Sequence, residues 1–488
     1  WTSKTRSEDG MAKVREARRQ SHNPRVKAVM SKKVLVLGAG LVAGPGVKYL
    51  AESGHDVTVG SRTLARAEKL IEGLPNCTAV EVDVANPEHA GKLDELMKAT
   101  DLVLSLVPWT LHTPVAELAV KFNKHFTSTS YISDAMDGMD AAFKANGKVC
   151  FNECGVDPGL DHMSACAVFD DVKAKGGKII KFLSYCGGLP CPDDNNNPFG
   201  YKFSWSPRGV LLAAVREAFY IEDGEEKKMD TVPGNGIYDK FILDNTVPDV
   251  GAPLEKAKWP EAFESHPNGN SIKFKKIYDL PDCETLIRGT YRTVGWCDAM
   301  RSIKNLDLLD QEPCEETAKG TTFVKLLAGQ LGCEPAAVKG AVAAKLGIKE
   351  DDAIIGRLEW LGLFSDKDAT APTKIDAVCR LFQENEKFHY ADGERDMIAM
   401  HHTFKILNAD GSKETRTSTL VDYGIKGGDT SMARTVTLPV AIAIRKILSG
   451  EIKNTGVCRP TSADIYEPIL KEMETFGVKF TEKASAGW

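Results

Sequence analysis

The stretch Val34-Leu-Val-Leu-Gly-Ala-Gly-Leu-Val-Ala-Gly-Pro45 decides the fold of the first part of the chain. Four apolar residues lead into Gly38-x-Gly40-x-x-Ala43, and an apolar pattern with helical spacing follows. Gly38 permits a tight turn, Gly40 lets the backbone approach a phosphate, and Ala43 is small enough for a helix to pack against the strand. A glycine-rich turn without a ligand is the alternative, but the strand before the motif and the helix after it favour a bound pyrophosphate. The stretch therefore predicts the first βα unit of a dinucleotide-binding fold.

The end of the next strand indicates which dinucleotide is bound. His55–Gly60 reads as a strand and is followed by Ser61-Arg62-Thr63. NAD-binding versions of this fold place an acidic residue about twenty positions beyond the glycines, where it accepts the ribose 2′-OH. No carboxylate occupies this position here, whereas the Arg62 guanidinium can donate to a 2′-phosphate and Ser61 and Thr63 add hydroxyls. We therefore expect NADP rather than NAD.

Further strands place polar residues where a substrate would meet the dinucleotide. Four stretches have the composition of buried strands, at 78–84, 101–108, 126–131 and 149–154. Strands in this order share one ligand crevice at their carboxyl ends, where Ser130, Tyr131 and the segment 155–159 (Gly-Val-Asp-Pro-Gly) lie. The alternative for 155–159 is a plain turn, because Asp-Pro-Gly favours one regardless of function.

The second half of the chain alternates between strand-like and helical patterns. A strand pattern at 179–186 is followed by an aromatic stretch at 201–208, and Arg288 and Arg292 lie on one face of a further strand by the period of two. Two cations on one face suggest an anionic substrate, although such arginines are often only solvated. Further along, the pattern predicts helices over 306–388, a hairpin over 403–423 and an apolar helix over 432–448 that can return to the nucleotide sheet.

Composition bounds the class of protein. The 488 residues exceed one compact core, and no run of eighteen apolar residues predicts a membrane span. The net charge of −6 becomes more acidic once the basic leader over 1–31 is set aside, so we expect no binding to nucleic acid. The leader lacks the apolar core of a secretory signal and can be a transit peptide, a linker from a longer fused chain or translated upstream sequence. Twelve cysteines without a C-x-x-C pair indicate free thiols in a reducing compartment and predict no metal site.

Several motifs together resemble one known family. They are Gly38-x-Gly40 with Pro45, Ser61–Thr63, Val156–His162, Phe182–Pro190, Gly200–Trp205 and Trp360–Asp366. From about Lys33 to its end the chain resembles the glutamate-forming saccharopine dehydrogenases, also called saccharopine reductases. The resemblance implies an α/β architecture in which a Rossmann domain is built from both chain ends and a substrate and dimerisation domain carries an inserted helical subdomain. The expected bounds are 1–31 for an unstructured leader, 32–155 and 432–488 for the Rossmann domain, 156–305 and 390–431 for the second domain, and 306–389 for the helices.

The resemblance also implies an activity and a set of site residues. Saccharopine and NADP+ would interconvert with glutamate, 2-aminoadipate 6-semialdehyde and NADPH in lysine metabolism, in a homodimer of the cytoplasm, or of mitochondria if the leader is a transit peptide. Implied cofactor contacts, including the motif glycines, are Gly38, Gly40, Leu41, Val42, Ala43, Gly44, Ser61, Arg62, Thr63, Asp83, Leu106, Ser128, Thr129, Val156, Asp157, Pro158 and Trp205. Implied substrate contacts are Ser130, Tyr131, Asp157, Thr290, Tyr291 and Arg292. We expect the acid/base group among Asp157, Tyr131 and Cys186, for which turn formation, core packing and a buried thiol are the alternatives.

One departure from the family keeps other functions open. The family usually has Pro-Asn-Arg in the substrate cleft, where this chain has Pro267-Asn268-Gly269, so a cation for a substrate carboxylate is absent. Arg288, Arg292 or Lys202 can substitute, or the substrate is altered. A carboxyspermidine-type imine reductase would need acidic groups where the two arginines stand. A non-catalytic NADP-binding sensor or scaffold would not need the polar strand ends at 130, 131 and 157.

Overall fold

The computed structural model describes residues 31–229 and 263–488, so most of the predicted leader lies outside the described residues. The first sheet has seven parallel strands in the order β14-β6-β5-β4-β1-β2-β3. Its strands are β1 (Lys33–Leu37), β2 (Asp56–Ser61), β3 (Cys77–Glu81), β4 (Leu102–Ser105), β5 (His125–Ser128), β6 (Val149–Phe151) and β14 (Gly456–Cys458). Apart from Lys33 and Ser105 at their ends, the central strands β1 and β4 are apolar, because helices cover both faces, as in other parallel sheets. This order and its connections are those of a Rossmann fold.

Nine helices accompany the first sheet in the described residues. They are α1 (Ala43–Glu52), α2 (Leu64–Ile71), α3 (Ala90–Ala99), α4 (His112–Lys121), α5 (Asp134–Asp137), α6 (Asp140–Ala145), α7 (Leu160–Ala174), α16 (Ser431–Leu448) and α17 (Ala463–Met473). The apolar helix predicted over 432–448 is α16, which packs directly on α1. A Cβ atom on Gly46 would lie only 2.8 Å from Thr437 Cβ, and Gly46 N donates to Thr437 Oγ1 at 3.1 Å. A residue larger than glycine at position 46 would therefore push these helices apart.

The second sheet has the strand order β15-β13-β12-β7-β11-β8-β9, and β10 also pairs with β11. Its strands are β7 (Lys178–Pro190), β8 (Ala218–Glu222), β9 (Glu225–Met229), β10 (Phe263–Pro267), β11 (Thr285–Thr293), β12 (Asp396–Leu407), β13 (Lys413–Tyr423) and β15 (Thr481–Ala486). Two helices, α8 (Pro207–Ala213) and α9 (Ile272–Ile277), lie in its connections. The predicted hairpin is present as antiparallel β12 and β13, although β12 begins seven residues before the predicted strand.

The region predicted to be helical contains α10 (Trp296–Asn305), α11 (Glu315–Ala318), α12 (Phe323–Leu331), α13 (Val338–Leu346), α14 (Ala353–Leu361) and α15 (Lys374–Glu384). Their apolar faces share one core with the second sheet. Within that core the rings of Tyr201 and Trp296 lie 4.5 Å apart, and Phe382 packs beside Trp296. The helices therefore pack against the second sheet, which contains β11.

The last strand differs from the expectation for the C-terminal segment. The family resemblance implies that residues 432–488 belong as a whole to the Rossmann domain, but β15 pairs antiparallel with β13 of the second sheet. An edge strand has unpaired N–H and C=O groups, and the terminal strand satisfies those of β13. The remaining domain bounds stay predictions. No helix within 31–229 and 263–488 is long and apolar enough to cross a membrane.

Candidate active site

The turn between β1 and α1 has the shape that a dinucleotide phosphate requires. Gly38 has a φ of 115°, and a Cβ atom there would lie 2.7 Å from Leu106 O, so only glycine fits. A Cβ atom on Gly40 would meet no atom within 4 Å, which leaves open space beside the backbone. The first turn of α1 has no side-chain cap at Val42, and Leu41 is 69% exposed. The positive end of this helix and the open backbone beside it therefore fit a pyrophosphate.

The residues predicted to select NADP lie at the end of β2, and Asp83, another implied cofactor contact, lies after β3. Arg62 directly follows β2 and is exposed, and its guanidinium has no hydrogen bond or ion pair within the described ranges. Thr63 N donates to Ser61 Oγ at 3.2 Å, which shapes the start of α2. Asp83 follows β3, and its Oδ1 accepts from Ala85 N at 2.9 Å. An unpaired guanidinium at this edge fits a 2′-phosphate.

The other predicted cofactor residues follow the remaining strands of the same edge. Leu106 comes after β4, Ser128 ends β5 and Thr129 follows it, and Val156, Asp157 and Pro158 lie beyond β6. Ser128 Oγ donates to Asn152 Oδ1 at 2.8 Å and so links the ends of β5 and β6. Trp205 lies in the connection before α8, where a Cβ atom on Gly209 would come within 2.7 Å of its ring. The fold thus brings the predicted cofactor residues of β1 to β6 to one crevice, while their individual contacts stay predictions.

A buried arginine joins the two sheets at this crevice. Arg288 Nη2, from β11, lies 3.0 Å from Asp157 Oδ1 and 3.2 Å from Tyr131 OH, and it also donates to Asp161 Oδ2. Tyr131 OH donates to Asp157 Oδ1 at 2.9 Å. The guanidinium carbon lies 4.1 Å from the centroid of the Phe274 ring. We call Tyr131, Asp157, Asp161 and Arg288 the Arg288 cluster.

The two carboxylates of the Arg288 cluster titrate differently. Burial and the negative charge of Asp161 raise the pKa of Asp157 to about 6, although Arg288 acts against this shift. Burial also acts to raise the pKa of Asp161, but the charges of His162 and Arg288 outweigh burial and lower it. Burial raises the pKa of Tyr131 well above its usual range. Asp157 can therefore take up and release a proton near neutral pH while its neighbour stays ionised.

Further buried charges extend the cluster toward the edge of the first sheet. His162 Nε2 lies 2.9 Å from Glu153 Oε2, and His162 Nδ1 lies 2.6 Å from Tyr278 OH. Arg459, which follows β14, approaches the same Glu153 oxygen at 3.3 Å. Burial acts to raise the pKa of Glu153, but the hydrogen bond and charge of His162 outweigh it and lower the pKa to about 2. Glu153 is therefore a stably charged support behind the cluster.

Arg292 lies on β11 four residues beyond Arg288 and has a different environment. Its Nη1 donates to Thr290 Oγ1 at 2.7 Å and to Tyr291 O at 2.9 Å. The guanidinium is buried, its Nε has no hydrogen-bond partner, and no carboxylate pairs with it in the part of the chain that the structure describes. A buried cation without an acidic partner is unusual, because burial of an unpaired charge is costly. This site therefore fits the carboxylate of a ligand.

Cys186 on β7 connects the two arginines electrostatically. It pairs with Thr290 of β11, and Thr290 Oγ1 donates to Cys186 O at 3.1 Å. Burial raises the pKa of the Cys186 thiol well above its usual range, and the charges of Asp157 and Asp161 add to that effect. Arg292 acts in the opposite direction. The thiol is therefore uncharged, and its pKa is affected by the charges of both carboxylates and both arginines.

Two residues named for the substrate side have other partners, and one position is open. The ring of Tyr291 is fully buried on the opposite face of β11, with its centroid 5.4 Å from that of Tyr185. Lys202 forms a buried ion pair with Glu394. Gly269 has a φ of 63°, and a Cβ atom there would meet nothing within 4 Å. Of the cations considered as substitutes for the family arginine, Arg292 is the one without a carboxylate partner among the described residues.

Comparison with known proteins assigns this arrangement to a family. The family described as saccharopine dehydrogenase NADP binding domain matches residues 34–151, and the one described as saccharopine dehydrogenase C-terminal domain matches residues 155–478. The chain belongs to the saccharopine dehydrogenase family. Saccharopine dehydrogenase (NADP+, L-glutamate-forming) of Saccharomyces cerevisiae is 39% identical over 94% of this chain and 100% of its own length. The protein of the same name from Schizosaccharomyces pombe is 36% identical over 92% and 98% of the two chains.

Other saccharopine dehydrogenase relatives extend the comparison. The solved apo structure of histidine-tagged saccharopine dehydrogenase (L-Glu forming) from Saccharomyces cerevisiae has a TM-score of 0.79 and 36% identity, and the match covers 93% of this chain and 100% of that chain. Bovine alpha-aminoadipic semialdehyde synthase, mitochondrial, is 35% identical over 97% of this chain but only 50% of its own length. These matches confirm the predicted family, its Rossmann-type fold and NADP as the cofactor.

The candidate site contains several residues that the sequence motifs did not assign to it. Asp161 and His162 close the motif that begins at Val156, and Asp161 lies in the first turn of α7, where a carboxylate is favoured. An aspartate at the start of a helical pattern, close to Asp157 in the chain, could have indicated Asp161 from the sequence. Glu153 carried no such signal, because its partners His162 and Arg459 come from a helix and from a connection elsewhere in the fold.

Proposed function

We propose that the chain catalyses the reversible NADP-dependent interconversion of saccharopine with glutamate and 2-aminoadipate 6-semialdehyde. The observation that carries this proposal is the buried guanidinium of Arg292, which pairs with no carboxylate among the described residues. It acts on the same thiol, Cys186, as Asp157, whose pKa lies near neutrality. Saccharopine carries several carboxylates, and both amino-acid products carry at least one. A site that must hold carboxylates and move a proton needs these two features together.

The first sheet holds the cofactor in this proposal. The α1 N-terminus and the open backbone at Gly40 receive the pyrophosphate, and Arg62 with Ser61 and Thr63 binds the 2′-phosphate. When bound, NADP(H) supplies or accepts the hydride at the carbon–nitrogen bond. Ser128, Thr129 and the segment 156–158 border the crevice at the ends of β5 and β6, where the reacting carbon must meet the cofactor.

Arg292 binds a substrate carboxylate and thereby fixes the position of the carbon–nitrogen bond. Its Nη1 is held by Thr290 Oγ1 and Tyr291 O, which orients the guanidinium before the substrate enters. Such preorganisation lowers the cost of aligning the reacting groups. Arg288 has a different role, because both Asp157 and Asp161 already engage its Nη2. It positions Asp157 and keeps that carboxyl at the crevice.

Asp157 moves the proton. Condensation of the glutamate amine with the aldehyde requires proton transfer to the departing hydroxyl group, and the reverse direction requires activation of water. A carboxyl with a pKa of about 6 exchanges a proton readily in both directions. Tyr131 OH, 2.9 Å from Asp157 Oδ1, stays protonated and holds that oxygen in place. Cys186 stays a protonated thiol, so it takes no part in this proton transfer and adds no charge to the site.

The proposal extends to assembly and location. A homodimer in the cytoplasm is the form that the family resemblance implies, and the basic leader together with the mitochondrial bovine relative supports mitochondria as the second candidate. Neither the polyamine alternative nor the sensor alternative is favoured by the relatives. Light scattering of the purified protein measures the dimer directly.

A turnover assay tests the proposed reaction. Absorbance of the reduced cofactor is followed with saccharopine and NADP+ for the wild type and for Arg292→Leu. The wild type should turn over, and the variant should show a KM for saccharopine raised by about 100-fold, the cost of losing a charged hydrogen-bonding partner.

The matched control is Arg208→Leu, which removes a half-exposed guanidinium paired with Asp376 and should leave KM unchanged. Absence of turnover with saccharopine contradicts the proposal. Turnover of carboxyspermidine instead would establish the polyamine alternative, and NADP binding with no turnover of either compound would establish the sensor.

A further inference from the structure

A buried histidine links two serines at the ends of neighbouring strands. His112 is the first residue of α4 and is 5% exposed. Its Nδ1 lies 2.8 Å from Ser105 Oγ at the end of β4, and its Nε2 lies 2.8 Å from Ser130 Oγ just beyond β5. Both ring nitrogens are therefore satisfied by hydroxyl groups, and one of these hydroxyls borders the crevice.

The backbone of Ser130 is already fixed, so that only its hydroxyl remains to be oriented. Ser130 N donates to Ser128 Oγ at 3.3 Å, and Ser130 O accepts from Glu153 N at 3.1 Å. The next residue, Tyr131, holds Asp157. The direction of the Ser130 O–H bond therefore depends on His112 and is set close to the group that moves the proton.

The chemistry of imidazole fixes the direction of this chain of hydrogen bonds. Burial lowers the pKa of His112 to about 4, so the ring is neutral at pH 7 and has one donor and one acceptor nitrogen. A carboxylate only accepts hydrogen bonds, so a serine that binds one must donate its own proton. Ser130 Oγ must then accept from His112 Nε2–H, and Ser105 O–H must donate to Nδ1.

We propose that His112 is a positioning residue whose Nε2–H holds the Ser130 hydroxyl as a hydrogen-bond donor toward a carboxylate of the amino-acid substrate. This inference rests on the proposed function, because that function supplies the carboxylate. Ser105 O–H donates to Nδ1 from the far side of the ring, so the required tautomer has a partner at both nitrogens. The three side chains thus convert a serine, which can donate or accept, into a dedicated donor.

A double-mutant cycle tests the inference, using steady-state turnover of saccharopine and fluorescence titration of NADP+. His112→Asn places its amide near the Nδ1 position and cannot reach Ser130, whereas His112→Gln places an amide donor near the Nε2 position. Ser130→Ala and His112→Asn should each raise the KM for saccharopine by about tenfold, the usual effect of one lost hydrogen bond to a charged group, with a smaller change in kcat. His112→Gln should recover most of this loss.

The decisive comparison is His112→Asn in the Ser130→Ala background, where it should change nothing further because its target is already absent. The dissociation constant of NADP+ should be the same in all variants. Additive losses in the double variant, or equal losses for His112→Gln and His112→Asn, would overturn the inference and leave the proposed function intact. Absence of saccharopine turnover by the wild type would overturn both.

Discussion

The cofactor side of the crevice is lined by main-chain groups and exposed side chains, whereas the substrate side is lined by buried charges. Gly38, Gly40 and Arg62 on the first side lie within one βαβ segment, and Arg62 has no ionic partner in the ranges that the structure describes. On the second side, Arg288 comes from another sheet, 131 positions away from Asp157, and is 5% exposed. The cofactor side therefore has hydrogen-bond donors that can bind an anion. On the substrate side most of the buried charges are already paired with each other.

This difference separates binding from stability. Exposed, unpaired groups on the cofactor side contribute little to folding, so their removal should affect only the ligand. Buried ion pairs on the substrate side stabilise each other, so their removal should leave uncompensated charge inside the protein. Three substitutions examine this contrast, beginning with the largest expected effect.

Arg288→Gln should lower the free energy of unfolding by about 3–5 kcal/mol, because Asp157 and the fully buried Asp161 both lose their guanidinium. Affinity for NADP+ should stay unchanged, since the phosphate-binding turn lies elsewhere. Denaturant titration and cofactor titration measure the two quantities. As a control, Arg208→Gln breaks a half-exposed pair with Asp376 and should cost less than about 1 kcal/mol. Equal losses for the two variants would refute the contrast between the two sides.

Arg62→Ala should lower the preference for NADP+ over NAD+ by about 100-fold, because charge-assisted hydrogen bonds to the 2′-phosphate are lost. Stability should change by no more than about 0.5 kcal/mol, since the side chain is exposed and has no partner among the residues that the structure describes. The ratio of kcat/KM for the two cofactors is the measurement. Lys69→Ala, in the last turn of helix α2, which follows Arg62 in the chain, is the control and should leave the ratio as it is. An unchanged ratio for Arg62→Ala would exclude the role given to this arginine.

Asp161→Asn should lower the pKa of Asp157 by about one unit, because the charge of Asp161 is the main contribution to the raised value after burial. In the wild type the folded protein binds this proton more tightly than the unfolded chain. The contribution of Asp157 to stability is therefore lost as pH rises from about 4 to about 6.

The same substitution should move the acidic limb of the kcat/KM profile to lower pH, measured between about pH 4.5 and 8 on the full enzyme. Asp170→Asn changes an exposed carboxyl on the same helix α7 and serves as the control. A limb that stays in place, or moves to higher pH, would show that Asp161 does not act on the titrating group.

The same contrast explains what could be predicted from the sequence. The glycine turn, the Ser61–Thr63 selector and the polar ends of β5 and β6 depend on local spacing, and the predicted strands are present with shifted bounds. Pairing of Arg288 with Asp157 and Asp161 has no local pattern, because the three residues meet only after two sheets have packed. The same holds for His112, whose partners Ser105 and Ser130 follow from the positions of two other strands. The residues of the cofactor side can thus be predicted from local sequence motifs. Those of the substrate side can be identified only once the tertiary structure is known.

The route of the chain between the two sheets has a consequence for how the protein unfolds. The chain leaves the first sheet after β6, returns to it through α16 and β14, and leaves again to add β15 to the second. One apolar core contains Val36 of the first sheet and Phe404 of the second. Because neither sheet is a single segment and both share this core, a protease cut in one connection releases no self-sufficient half. The cofactor sheet and the substrate sheet are separate in chemistry but form one cooperative unit in folding.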